Sequence, residues 1–193
     1  MTLGFYFNQQ NCIGCRTCQV ACKDRLDIQV AGPRTRRVES YESGAFPAPG
    51  MFHTSVSCNH CDNPACVAAC PTGAMFKDGA TGVVLHNAAD CIVCQSCVEA
   101  CPYGAPQYYE LEDRIVKCDT CKDLREAGMQ PNCVAACPMR ALDFGDVDEL
   151  RAKYDEGLVS ELPCLPEAGL TGANLLIAAK ACALADDFNG VVL

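Results

Sequence analysis

Sixteen of the eighteen cysteines in this 193-residue chain fall into four groups of four, and no other property restricts its fold as tightly. Group one, "CIGCRTCQVAC", holds Cys12, Cys15, Cys18 and Cys22. Group two, "CNHCDNPACVAACP", holds Cys58, Cys61, Cys66 and Cys70. Group three, "CIVCQSCVEACP", holds Cys91, Cys94, Cys97 and Cys101. Group four, "CDTCKDLREAGMQPNCVAACP", holds Cys118, Cys121, Cys133 and Cys137, which leaves only Cys164 and Cys182 outside. Thiols supply a large share of the 50% of residues that count as apolar, tryptophan is absent and aromatics reach only 7%. The side-chain core is thin for this length, so whatever the thiols bind must fill part of the interior.

Three chemistries compete for such groups. Disulfides fit poorly, because repeated Cys-x-x-Cys pairs without a secretory leader suit a reducing compartment and inorganic ligation. Zinc could accept group four on spacing alone, but not groups one and three, where Cys-x2-Cys-x2-Cys-x3-Cys puts three thiolates within seven residues. That run is the cluster pattern of two-cluster bacterial ferredoxins, in which the fourth cysteine ligates the other cluster. Three closely spaced thiolates bind three corners of a [4Fe-4S] cube from one loop whose amides offset the sulfide charge. The fourth corner faces away and takes a thiolate from elsewhere in the fold.

The hexapeptide "CVAACP" occurs twice, with "CVEACP" as a third copy, and it reads as this crossover. A helical turn carries the last thiol toward the neighbouring cube, and proline then turns the chain away without an amide that needs a partner. Groups two and three, joined by two short strands around a glycine turn in "GAMFKDGATGVVLHNAAD", make one module. Exchange within it gives Cys58, Cys61, Cys66 and Cys101 for one cluster and Cys91, Cys94, Cys97 and Cys70 for the other. By the same rule Cys12, Cys15, Cys18 and Cys137 hold a third, and Cys118, Cys121, Cys133 and Cys22 a fourth, although spacing leaves open that groups one and four close locally. "LGFYFNQQNC" and "MRALDFGDVDEL" supply the outer strands of that second module. Cys22 is followed by Lys23 instead of proline, so the helix can continue past it, and its surroundings are expected to be more polar and differently exposed.

The expected fold is α+β: two pseudo-symmetric ferredoxin-like modules of two [4Fe-4S] clusters each, the second inserted within the first, with a surface arm and a C-terminal helical tail. Residues 1–30 and 108–147 form the outer module, 31–52 a linking arm, 53–107 the inner module and 148–193 a C-terminal extension. Residues 23–52, ending in glycine- and proline-rich "YESGAFPAPGMF", read as an extended surface arm. Residues 148–156 read as a short solvated helix, and the tail from about 173 as an amphipathic or packed helix. Arg34, Arg36 and Arg37 read as a solvated loop or a partner contact. Cys164 and Cys182 read as structural or free thiols, His53, His60 and His86 as packing or polar residues, with His60 placed to tune a cluster.

No apolar run approaches the ~20 residues of a membrane span, and the N-terminus has neither a leader's basic-then-apolar pattern nor twin arginines. A formal charge of −9 argues against a nucleic-acid surface. Each oxidised cube with its thiolates carries about −2, so the loaded protein carries about −17, offset by amides and by cations such as Lys117 and Arg114. There is no phosphate-cradling loop, serine nucleophile motif or H-E-x-x-H site. Full thiolate ligation also leaves no open iron position for Lewis-acid chemistry. The protein therefore reads as a non-catalytic wire for single electrons, with a free polyferredoxin-like carrier as the alternative.

"GFYFNQQNCIGCRTCQVACKD", "SCNHCDNPACVAACPTGAM", "CIVCQSCVEACPYGAPQY", "VKCDTC" and "CVAACPMRALDFGDVDELR" resemble the four-cluster iron-sulfur subunits of the dimethyl sulfoxide reductase family of molybdopterin oxidoreductases. The resemblance covers residues 4 to about 154 with all sixteen ligand positions filled. It implies four [4Fe-4S] clusters, a molybdopterin-containing catalytic subunit as partner, and a quinol-handling membrane anchor in assemblies of respiratory type. Related wires of hydrogenases or formate dehydrogenases are the alternatives within this class. The implied location is the cytoplasm, or the membrane through partners, with export only as a partner's passenger.

Overall fold

The computed structural model describes residues 1–154 and 157–192. The uncharged run "LGFYFN" forms strand β1 (Leu3–Asn8), and helix α1 (Thr17–Arg25) carries the chain out of group one, continuing past Cys22 as the missing proline allows. A hairpin follows, β2 (Arg37–Ser43) against β3 (Gly50–Val56). Group two ends in the helical turn α2 (Ala65–Ala68), and the expected pair of short strands, β4 (Met75–Lys77) and β5 (Val84–His86), leads to α3 (Ser96–Ala100) in group three. A second short hairpin, β6 (Gln107–Tyr109) and β7 (Arg114–Val116), enters group four, which contains α4 (Lys122–Glu126) and α5 (Asn132–Ala135). Then come β8 (Leu142–Asp146), α6 (Val147–Tyr154), β9 (Leu158–Val159), β10 (Leu175–Ala178) and β11 (Phe188–Val191).

β1 and β8 pair antiparallel, with Leu3 opposite Asp146 and Phe7 opposite Leu142, which joins the two outer strands read from the sequence. α6 is the short helix expected over 148–156; its last two positions, Asp155 and Glu156, lie outside the described residues. Tyr6 stacks face to face on Tyr154, with ring centroids 3.6 Å apart, and fixes α6 against β1.

The expected helical tail is corrected. Leu175–Ala178 is a strand, paired parallel to β1 with Phe5 opposite Leu175 and Ile177 lying beside Phe7, in a sheet of order β8-β1-β10-β9. β1 is apolar on both faces and needs a neighbour on each edge, and the equally apolar "LLIA" supplies the second. Leu176 and Ile177 are each 1% exposed. The only helical pieces beyond β9 among the described residues are short 3-10 turns at Ala168–Leu170 and Ala181–Leu184.

The surface arm is corrected too. Residues 37–56 form the hairpin, with β11 added on its other edge, and it buries Val38 and Ser40 on one face and Phe52, opposite Tyr41, on the other. Turn residues such as exposed Phe46 and Pro47 account for the glycine and proline content, while the flanking strands belong to the core. That core runs from Phe5, Phe7, Val38, Phe52, Leu175 and Ile177 directly onto Cys18, Cys118, Cys133 and Cys137. A smaller one gathers Met75, Val84 and Ile115 around Cys66 and Cys97. Thiols thus occupy interior positions where a domain of this size would ordinarily place aliphatic side chains.

Candidate iron-sulfur centres

All four groups share one backbone feature. The third residue of each leading Cys-x-x-Cys is left-handed: Gly14 at φ 68°, His60 at 46°, Val93 at 55° and Thr120 at 60°. A left-handed residue in a tight loop turns successive amides to one side and makes a concave cradle for an anion. For valine and threonine that conformation costs on the order of 1–3 kcal/mol, so the surroundings must hold it. At Gly14 a side chain is excluded twice, because a Cβ there would lie 2.6 Å from the His53 ring.

Helical turns α2, α3 and α5 then carry the last cysteine of each "CVAACP"-type run out of its loop. Each of these thiols accepts a backbone N–H from beyond its proline: Met75 to Cys70 and Ala105 to Cys101, both at 3.4 Å, and Ala141 to Cys137 at 3.3 Å. Within group four, the amides of Thr120 and Asn132 point to Cys118 and Cys121, each at 3.4 Å.

The thiols meet in mixed sets. Cys12, Cys15, Cys18 and Cys137 line one cavity; Cys58, Cys61, Cys66 and Cys101 line a second; Cys70, Cys91, Cys94 and Cys97 line a third. Cys22 faces Cys118 and Cys133, which also face Cys121. Every set combines three cysteines of one group with one of another, and Cys164 and Cys182 belong to none. The thiols stand around these spaces; among the described residues no three are drawn together tightly enough to hold a single metal ion.

The sets form a row. Numbered along that row, Cys18 of the first set (Cys12, Cys15, Cys18, Cys137) faces Cys133 of the second (Cys22, Cys118, Cys121, Cys133), Cys118 of the second faces Cys58 of the third (Cys58, Cys61, Cys66, Cys101), and Cys66 of the third packs in one apolar cluster with Cys70, Cys91 and Cys97 of the fourth (Cys70, Cys91, Cys94, Cys97). Cys15 and Cys94, at opposite ends, are the two exposed thiols of the sixteen, whereas Cys22, Cys118, Cys121 and Cys133 are all buried.

Cys22 does differ in exposure, as its missing proline suggested, but toward greater burial than the crossing thiols Cys70 and Cys101. Its thiol lies 3.0 Å from the Thr35 hydroxyl, and Lys23, standing in the proline's place, donates to the carbonyls of Val30 and Pro33. The lysine thus ties residues 30–33 down beside the thiol. Burial pushes the Cys22 and Cys66 thiols up to about 12 and those of Cys61 and Cys121 up to about 11. Thiolates here need a positive partner at close range.

Two cations answer that need, and one of them is unexpected. Lys117 is 6% exposed and donates to the carbonyls of Val84 and Cys118 beside Cys58, as a counter-charge should. Arg114, the other expected counter-charge, is engaged differently: it binds Glu112 at 2.6 Å and the Leu26 carbonyl, and stacks on Tyr109. Arg36, taken from its neighbours as a solvated or partner-facing residue, is 1% exposed and faces Cys133, Cys18, Cys118 and Cys22. Its alternation with inward Val38 and Ser40 was the legible sign of its direction.

His60 is fully buried, and its Nδ1 accepts the Val84 N–H at 3.1 Å. Burial holds its pKa well below the ordinary value, so the neutral ring carries its proton on Nε2, which has no protein acceptor. Arg36 Nε and His86 Nε2 are likewise enclosed without partners, and His86 lines the cavity of the fourth set. Donors left over beside sets of four thiols fit a group that brings its own acceptor sulfurs, as a [4Fe-4S] cluster does.

Comparison with known proteins agrees in kind. Models of 4Fe-4S dicluster domains match residues 50–147 and 11–75. The B subunit of anaerobic dimethyl sulfoxide reductase from Haemophilus influenzae is 44% identical over 183 residues, covering 90% of this protein and 87% of the relative. The Escherichia coli subunit of the same name is 43% identical over 182 residues, with the same coverage. Protein NrfC of Escherichia coli is 38% identical over 154 residues, 79% of this protein and 69% of the relative.

Proposed function

The protein belongs to the family of four-cluster iron-sulfur subunits of dimethyl sulfoxide reductase-type oxidoreductases, and on that premise we propose how its residues serve electron transfer. It is an electron-transfer subunit with four [4Fe-4S] clusters. Bound clusters supply one-electron redox chemistry. We assign them to Cys12, Cys15, Cys18 and Cys137; to Cys22, Cys118, Cys121 and Cys133; to Cys58, Cys61, Cys66 and Cys101; and to Cys70, Cys91, Cys94 and Cys97. The observation that carries this assignment is the repeated gathering of three thiols from one group with one from another.

In this reading the left-handed loops aim amides at bound sulfide, the "CVAACP" turns deliver the crossing thiols, and Lys117 and Arg36 balance charge in the interior. Groups two and three make an inner module inserted within an outer one of groups one and four. The exposed loops around Cys15 and Cys94 are the two ends of the row, where electrons enter and leave. The subunit itself is non-catalytic. Its partner is a molybdopterin-containing catalytic subunit, a role supported by relatives named as the B subunit of a reductase. No helix among the described residues is long and apolar enough to cross a membrane, so contact with quinol would fall to a separate anchor subunit. The complex would then work in the cytoplasm or at the membrane.

Affinity purification of the tagged protein from its own cells tests this. Molybdenum in a co-eluting large subunit, with reoxidation of the reduced clusters by acceptor only in that complex, is the expected result. A protein that elutes alone, with no molybdenum in any fraction containing it, contradicts the reading.

A further inference from the structure

Arg36 is held as few surface-type residues are. Nη1 donates to the carbonyl and hydroxyl of Ser55 at 3.0 and 3.1 Å, Nη2 donates to the Ser57 hydroxyl at 3.0 Å, and the guanidinium lies 4.6 Å over the Phe5 ring. Nε is enclosed and has no partner. Among the described residues no carboxylate lies in ion-pair range of it. A buried charge without a counter-charge is strongly unfavourable, so something else must supply the negative side.

The thiols around it identify that side. Cys133, Cys18, Cys118 and Cys22 stand around the buried guanidinium. Cys18 belongs to the first thiol set and the other three to the second, so Arg36 stands where the two sets of the outer module meet. Ser55 also lies 3.4 Å from the Cys18 thiol, so the residue that fixes Nη1 touches the first set as well.

We propose that Arg36 is a positioning residue of the electron path, which raises the reduction potentials of both outer-module clusters and couples the two across the gap between them. The proposal rests on the cluster assignment above. Reduction adds one negative charge to a cluster, and a fixed positive charge in a water-poor site stabilises that added charge with little screening. Arginine suits the task better than lysine, because it stays charged in a buried site and its fork is held in one orientation by Ser55, Ser57 and Phe5. Nε remains as the donor free for a sulfur acceptor, and charge-assisted hydrogen bonds to cluster sulfurs are a principal means of setting potential.

The test is redox titration of the reconstituted full-length protein, followed by electron paramagnetic resonance, for wild type, Arg36→Gln and Arg36→Lys. Waves of the outer clusters are assigned beforehand with Cys15→Ser and Cys121→Ser. The glutamine variant is expected to shift both outer midpoints to more negative potential while the inner two stay in place, and the lysine variant to recover part of the shift. Outer midpoints unchanged in a fully loaded Arg36→Gln protein would overturn the proposal. Should that variant fail to assemble, spin-echo spectra of protein labelled with 15N-arginine decide: nitrogen coupling to a reduced outer cluster, lost in Arg36→Lys, supports the proposal, and coupling that persists or never occurs refutes it. A wild-type protein that takes up no iron would instead defeat the cluster assignment, which is a separate outcome.

Discussion

Lys117 Nζ stands 3.9 Å from Cys58 Sγ while donating to the carbonyl of Cys118 at 2.6 Å, so one buried ammonium touches a cysteine of the second thiol set and a cysteine of the third. It is the cation at the junction of the outer and inner groups. Lys117→Met keeps most of the stem and removes the charge. A charge-assisted hydrogen bond of about 1.5–3 kcal/mol corresponds to roughly 65–130 mV for a one-electron couple. The cluster assigned to Cys58, Cys61, Cys66 and Cys101 is expected to titrate that much more negative, and an unchanged midpoint would show that Lys117 has no electrostatic role.

Cys70→Ser separates crossed from local wiring. Cys70 lines the same cavity as Cys91, Cys94 and Cys97, although it lies in the sequence run of group two. Its loss is expected to degrade or convert the cluster of the group-three loop and leave that of Cys58, Cys61 and Cys66 intact in resonance spectra. Damage confined to the latter would refute the crossing.

Phe52→Ala measures whether the β2–β3 hairpin is structural. A freely solvated arm would tolerate the change. Phe52 is fully buried and stacks on Tyr41 with ring centroids 5.1 Å apart, so a loss of about 3–5 kcal/mol is expected by chemical denaturation of the loaded protein. A loss below about 1 kcal/mol would contradict the packing described.

Asp143 gives the fold a pH dependence of known sign. Burial alone would raise its carboxyl, but hydrogen bonds from Lys153 and Tyr154, each at 2.7 Å, outweigh it and hold the pKa below the ordinary value. A depressed folded-state pKa contributes stability above the unfolded value, near 4, that fades as pH falls through the folded value. Asp143→Asn is therefore expected to be less stable than wild type by about 0.5–1.5 kcal/mol near neutrality, with the gap closing below about pH 4. Melting curves across pH read it, and a gap that widens in acid would reverse the sign.

What could be read from the sequence was whatever chain spacing dictates. The four groups, the β4–β5 hairpin and α6 each follow from local pattern, because neighbours within a few residues decide them, and the long-range β1–β8 pair followed from the joining of groups one and four that these strands flank. Leu175–Ala178 did not, since four apolar residues suit a buried helix or a buried strand equally and the choice is made by β1, far away in sequence. Cys22 was legible in part: its missing proline correctly predicted a longer helix and a different exposure, but the direction of that difference, toward burial, is set by Thr35 and by Lys23 reaching Val30 and Pro33. Arg36 was hidden by its neighbours, since Arg34 is a half-exposed partner of Glu39 and Arg37 binds the Tyr103 carbonyl. Facing it, the hydroxyl-rich "TSVSC" before group two was a polar interior waiting for a donor, recognisable only when the two strands are brought together.

The central claim is that sixteen thiols of this protein hold four one-electron centres. Reconstituted protein should contain about sixteen irons and about sixteen sulfides, and anaerobic titration with a reductant should deliver about four electrons per molecule. Iron near four or below, zinc in its place, or no electron uptake by a fully metallated protein would contradict it.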